Sequence, residues 1–120
     1  MQKVNILGAE YEVIEKKYDE DAEFAKNGCN GYCDWSVHQI VICEMTTYRG
    51  YENETKAMCD AEEKQTLRHE VVHAFFNESG LMANASKTDK AWPLFEECVD
   101  WIAIQGPKIY KVWEELGCLP

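Results

Sequence analysis

The chain has 120 residues, of which 46% are hydrophobic, and its formal net charge is −10 at pH 7. This length predicts one domain over residues 1–120. The acidic charge disfavours sequence-independent nucleic-acid binding and docking on anionic membranes, because both depend on basic side chains. No apolar run approaches the ~18 residues of a membrane-spanning helix, and the N-terminus opens a strand rather than a secretory signal. We therefore expect a cytoplasmic protein without nucleic-acid or membrane partners, and its oligomeric state stays open.

The first half of the chain predicts a small antiparallel sheet. Val4 and Ile6 alternate with polar residues, as do Tyr11 and Val13, and Gly8-Ala9 between them predicts a hairpin. Further along, the patterns predict a short helix at 19–26, a turn at Asn30-Gly31, strands at 32–35 and 37–42, and a loop at 43–56.

The next segment, His69-Glu70-Val71-Val72-His73, reads HExxH within a helical pattern. Two histidines four apart share one helix face and can reach one zinc ion, while the glutamate can sit beside the attacking water. Asp60 predicts the start of this helix, and Ser79-Gly80 predicts its end. At ~100° per residue, one polar arc should face a cleft; it comprises Glu62, Thr66, His69, Glu70, His73 and Asn77. The alternative is a chance match, with two ordinary, partly buried histidines.

A polar loop at 82–90 and Trp92-Pro93 should precede a second helix, which carries Glu96-Glu97-Cys98-Val99-Asp100. Glu96 and Asp100 are four residues apart, so their like charges repel, and burying them without a cation would be costly. The alternative is a solvated acidic face. Gln105-Gly106-Pro107 should end this helix and begin a C-terminal one, whose core positions are Ile109, Val112, Trp113 and Leu116.

HExxH followed by ExxxD resembles the gluzincin-type zinc peptidases, and the likeness is closer to small metallopeptidases encoded by phages and prophages. The matching stretches are 67–75, 78–81, 96–103 and Pro107-Lys108, which together with the strand-rich start cover most of the chain. The resemblance implies a zincin-like α+β domain. Such a domain packs a small antiparallel sheet on a central HExxH helix, with a second, ligand-bearing helix and a C-terminal helix.

The resemblance also implies a role for each site residue. His69, His73 and Glu96 would bind one zinc ion per chain, and Asp100 would accept the N–H of a ligating histidine. Glu70 would be the catalytic general base. The family often has asparagine before the paired glutamates, where this chain has Phe95, so Glu97 stays open as an alternative metal ligand.

The implied function is a zinc metallopeptidase, a hydrolase that cuts a peptide or protein substrate through metal-activated water. Its small size favours a narrow substrate range, and the resemblance places it in a bacterial host cytoplasm. Three alternatives remain. The domain could bind zinc only to hold its fold, it could be a non-catalytic interaction or regulatory protein of a phage, such as an inhibitor of a basic host factor, or it could hydrolyse an amide other than a protein bond. Without a secretory signal, reduced thiols are expected at all six cysteines: Cys29, Cys33, Cys43, Cys59, Cys98 and Cys118.

Overall fold

A computed structural model describes residues 2–82 and 96–120, without the side chains at 96–100 and 103. The described elements form a small α+β domain, as the sequence predicts. In chain order they are β1 (Gln2–Ile6), β2 (Ala9–Lys16), α1 (Ala22–Asn27), β3 (Gly31–Asp34), β4 (Gln39–Cys43), α2 (Lys56–Glu78) and α3 (Glu96–Glu115). Short 3-10 helices precede α1 at Tyr18–Glu20 and follow β4 at Met45–Thr47.

The four strands form one mixed sheet in the order β1-β2-β4-β3, so the expectation of a purely antiparallel sheet is wrong. β1 pairs with β2, and β3 with β4, in antiparallel fashion, but β2 and β4 run parallel, with Glu12 opposite Gln39. The predicted first hairpin is confirmed. Its turn lies at Leu7-Gly8, where both residues have positive φ, the conformation that two-residue hairpin turns favour.

The alternating side chains of the central strand β4 enter two separate cores. Ile40 and Ile42 face α2 and α3 in one core, whereas Val41 and Cys43 face α1 in the other. Both faces of this strand are therefore covered, which explains its unbroken apolar run from Ile40 to Cys43. The helix-side core is completed by Val4, Ile6, Tyr11, Val71, Ala74, Phe75, Ile109 and Val112.

Helix α2 begins at Lys56, one turn before the expected start at Asp60. The cap is Thr55, whose side-chain oxygen accepts a hydrogen bond from the Met58 backbone N–H at 3.1 Å. The predicted end is confirmed, because α2 stops at Glu78, directly before Ser79-Gly80. The helix lies against β3, β4 and α3, so it is the central packed element that its apolar residues predict.

Helix α3 continues through Gly106-Pro107, so the expected division into two helices is wrong. An interior proline costs about 3 kcal/mol, and packing on both sides of it offsets that cost. Beyond the proline, Ile109 and Val112 are buried as predicted, and Trp113 Nε1 donates to the Arg68 carbonyl at 3.2 Å. The predicted loop at 82–90, apart from Met82, and the helix start at Trp92-Pro93 lie outside the described residues. Among the described helices, none is long and apolar enough to cross a membrane.

Candidate functional site

The geometry of α2 brings His69 and His73 together at its surface. Their Nε2 atoms lie 3.0 Å apart, and their ring centroids are separated by 4.7 Å. Two nitrogens bound to one tetrahedral zinc ion at about 2.0–2.1 Å would be about 3.3 Å apart. The two Nε2 atoms therefore converge nearly as a shared metal ion requires, and they could serve as two of its ligands.

The protonation of His73 also suits metal binding. Burial lowers the pKa of His73, and the nearby His69 lowers it further, since two imidazolium charges would repel each other. A metal ligand must be the neutral imidazole. The structure therefore favours the ligand form of His73 even in the metal-free protein.

Glu70 lies between the two histidines, and only 7% of its surface is exposed. Its carboxylate has no hydrogen-bond or ion-pair partner among the described side chains. Burial raises its pKa to about 7. A carboxylate of this kind is poised to exchange a proton at neutral pH, as a general base must.

A groove between α2 and β3 holds two cavities, and both are lined by Glu70 and Gly31. The first, of about 370 Å³, lies on the His69 side, where its lining includes Asn30, Glu62 and Thr66. The second, of about 260 Å³, lies on the His73 side and is lined by Tyr32, Cys33 and Trp35. Five residues of the predicted polar arc therefore do face a cleft, whereas the sixth, Asn77, lines neither cavity.

Gly31 sets the width of this groove. A Cβ atom at this position would lie only 2.5 Å from Cγ2 of Thr66 and 3.0 Å from the Val41 carbonyl oxygen. Glycine thus permits β3 to approach α2 closely. The Asn30-Gly31 pair was expected to form a turn, but Gly31 is a buried residue of β3.

The edge strand beside the motif helix is β3. The last strand before α2 in the chain, β4, is paired on both sides, with β2 and β3, so it has no free edge. The backbone groups along the outer edge of the sheet next to the groove belong to β3 instead.

The acidic motif of α3 approaches the motif helix through Trp101. Its ring packs on Phe76 at a centroid distance of 5.0 Å, and Phe76 in turn lies 6.3 Å from His73. Trp101 Nε1 also donates to Ser79 Oγ at 3.3 Å. The side chains of Glu96, Glu97 and Asp100, predicted as metal ligands or their support, lie outside the described residues.

Within the described side chains, no group of three or more His, Cys, Asp or Glu could hold a metal ion. The described thiols of Cys29, Cys33, Cys43, Cys59 and Cys118 are free, as expected of reduced cysteines. Burial, and then the charge of Glu70, raises the pKa of Cys33 to about 12. This thiol stays protonated at neutral pH, so it is a poor metal ligand.

Local sequence patterns did not predict a polar network at the C-terminal end of α2. The hydroxyl of the buried Tyr11 donates to Glu78 Oε1 at 2.8 Å, and Asn77 Nδ2 donates to the same oxygen at 3.1 Å. His38 Nε2 lies 3.3 Å from that oxygen, and its ring stacks on Tyr11. Only the unusual positive φ of His38, which a sequence does not reveal, marks its position as special.

A further cavity, of about 390 Å³, lies elsewhere on α2, where Asp60, Glu63 and Leu67 line it with β2 and the C-terminal segment. It contains none of the three motif residues, so it is not the candidate site.

Comparison of the chain with family models, with curated proteins and with solved structures finds no match.

Proposed function

We propose that the protein is a zinc-dependent hydrolase that cuts peptide bonds, with His69 and His73 as metal ligands and Glu70 as general base. The observation that carries the proposal is the 3.0 Å separation of the two Nε2 atoms beside Glu70, which is buried without a hydrogen-bond partner among the described side chains. Strongly shifted pKa values are concentrated at functional sites, and the raised pKa of Glu70 lies directly beside these two imidazoles.

Each residue has a defined part in this reaction. The histidines hold the metal, which would act as a Lewis acid and lower the pKa of water to about 7. Glu70 accepts a proton from the attacking water, and its own pKa of about 7 allows it to pass that proton to the leaving amine. Burial of Glu70 limits competing hydrogen bonds from solvent, which keeps its lone pairs available.

Glu96 completes the proposed ligand set, with Glu97 as the alternative, and Asp100 orients a ligating histidine. The contact of Trp101 with Phe76 supports this assignment, because it holds the α3 segment next to Asp100 against the motif helix. A narrow peptide or protein substrate, a phage or prophage origin and a cytoplasmic location belong to the same proposal.

The direct test measures zinc content and hydrolysis together. Wild-type protein should hold about one zinc ion per chain, and His69→Ala or His73→Ala should abolish binding, whereas His38→Ala should not. Glu96→Gln should weaken zinc binding more than Glu97→Gln. Cleavage of a peptide library should disappear with phenanthroline and in Glu70→Gln.

Two results would redirect the proposal. Zinc retained by the His69→Ala, His73→Ala double variant would exclude the site. Zinc bound by the wild type without cleavage of any library peptide would favour the alternative, a metal-binding protein with an interaction or regulatory role.

A further inference from the structure

From the two cavities of the α2–β3 groove, we propose that the substrate bond joins a basic residue to an apolar residue. The basic side chain would lie on the His69 side against Glu62, and the apolar side chain on the His73 side against Trp35. This inference rests on the proposed hydrolysis at Glu70, which lines both cavities.

The cavity on the His69 side is built to receive a cation. Its described lining includes the carboxylates of Glu62 and Glu70, and none of the described lining residues is lysine or arginine. Glu62 is held in place through one oxygen, because Tyr51 Oη donates to Oε2 at 3.0 Å and Asn30 Nδ2 donates to Oε2 at 3.4 Å. The other oxygen, Oε1, has no hydrogen-bond partner among the described side chains, so it can accept one from a substrate.

The cavity on the His73 side has a different chemistry. Tyr32, Cys33 and Trp35 line it, and the Cys33 thiol remains neutral. Trp35 is 40% exposed, so part of its ring is open to contact from a bound side chain. An apolar substrate side chain would cover this ring and gain from leaving water.

Spacing along α2 restricts the basic residue further. Glu62 precedes His69 by seven residues, which is about 10 Å of helix rise, or about three residues of extended peptide. A residue directly beside the reacting bond can therefore bring a charge to Glu62 only through a long side chain. This favours arginine and lysine over histidine, and arginine can use its fork of donors at the free Oε1.

The test begins with binding rather than turnover. Zinc-loaded Glu70→Gln should bind fluorescent peptides with a central Arg-Phe or Phe-Arg pair about tenfold more tightly than peptides with Glu in place of Arg. The better of the two orders identifies which side of the bond faces Glu62. Wild-type protein should cut the same preferred peptides fastest.

Matched variants separate specificity from stability. Glu62→Gln should lower the ratio of kcat/KM between basic and neutral peptides about tenfold, and Glu62→Lys should reverse the preference toward acidic peptides. Asp60→Asn removes a charge from the same helix outside the groove and should leave the ratio unchanged. Trp35→Ala should reduce the apolar preference, and Val37→Ala, on the same turn, should not. Each ratio is measured within one variant, so partial unfolding does not alter it.

The outcomes distinguish the two proposals. Cleavage that depends on zinc and Glu70 but shows no basic–apolar preference would overturn the substrate assignment and leave hydrolysis standing. Preferred binding without cleavage would support the cavities and overturn hydrolysis. If the protein shows no selective binding and no selective cleavage, the assignment of both cavities is overturned.

Discussion

Two carboxylates on α2, eight residues apart, occupy opposite kinds of surroundings. At the end of the helix, Glu78 lies near three side chains that can share its Oε1: Tyr11, Asn77 and His38. In the middle of the helix, Glu70 is buried without such a partner among the described side chains. One oxygen of Glu78 therefore has several hydrogen-bonding neighbours, whereas no described side chain bonds to Glu70.

This contrast explains why only one of them suits chemistry. Hydrogen bonds stabilise an ionised carboxylate and reduce its tendency to take up a proton. In the described part of the chain, no side chain donates such a bond to Glu70, so burial raises the pKa of its carboxyl to about 7. The fold therefore tolerates an unfavourable group at Glu70, as functional sites often require, and uses Glu78 to join the sheet to the helix.

The largest expected effect separates the two carboxylates by activity. If hydrolysis uses Glu70 as its base, Glu70→Gln should lower kcat by about a thousandfold, while Glu78→Gln should leave it within about twofold. Zinc content should stay near one per chain in both variants. Equal losses of kcat in the two variants would show that the middle and end of α2 do not differ in function.

The second prediction concerns pH and uses chelator-treated protein. The folded-state pKa of Glu70 is raised from 4.5 to about 7, so its contribution to stability is fully present below pH 4.5 and is lost as pH rises through 7. Relative to Glu70→Gln, the wild type should lose roughly 2–3 kcal/mol of unfolding free energy between pH 4.5 and 8. Urea denaturation across this range measures the difference, and parallel curves would contradict the raised pKa.

A third prediction concerns Gly31, which lines the α2–β3 groove beside Glu70. Gly31→Ala should cost about 2 kcal/mol of unfolding free energy, because its Cβ would meet Thr66 Cγ2 at 2.5 Å. Adding Thr66→Ser removes that methyl group and should restore part of the loss. Thr66→Ser alone is the control, since it removes the methyl group without adding a Cβ atom at Gly31. A Gly31→Ala variant as stable as the wild type would mean that β3 is not held this close.

The smallest effect is expected at the other carboxylate. Tyr11→Phe removes the hydroxyl that donates to Glu78 in a buried setting and should cost about 1 kcal/mol of unfolding free energy. Tyr110 is 52% exposed, so Tyr110→Phe should change stability by less than about 0.5 kcal/mol. Thermal unfolding of both variants checks the difference. Equal unfolding midpoints would show that the Tyr11 hydroxyl does not stabilise the protein through Glu78.

Local patterns predicted those elements whose causes are local. The first hairpin, the HExxH helix and the buried positions Ile109 and Val112 follow from alternation or helical spacing, which the chain carries within a few residues. The convergence of His69 and His73 is also local, because residues four apart on a helix are neighbours.

Other features depend on contacts between residues that are far apart in the chain, so local sequence patterns predicted them wrongly or not at all. Asn30-Gly31 is a common turn pair, yet this glycine is needed where β3 meets Thr66. Gly106-Pro107 is a common helix break, yet core packing carries α3 through it. The parallel pairing of β2 with β4 and the groove residue Trp35 have no local pattern at all.

Parallel pairing of β2 with β4 divides folding into local and non-local steps. Each hairpin closes over a few residues, whereas joining the hairpins brings Glu12 to Gln39 and carries a larger loop-closure entropy. We expect this joining step to limit the folding rate. The groove is formed by β3 and α2, away from that junction, so stopped-flow measurements should show that changes at Glu70 alter unfolding rates more than folding rates. Evolution could then vary the groove without slowing the assembly of the domain.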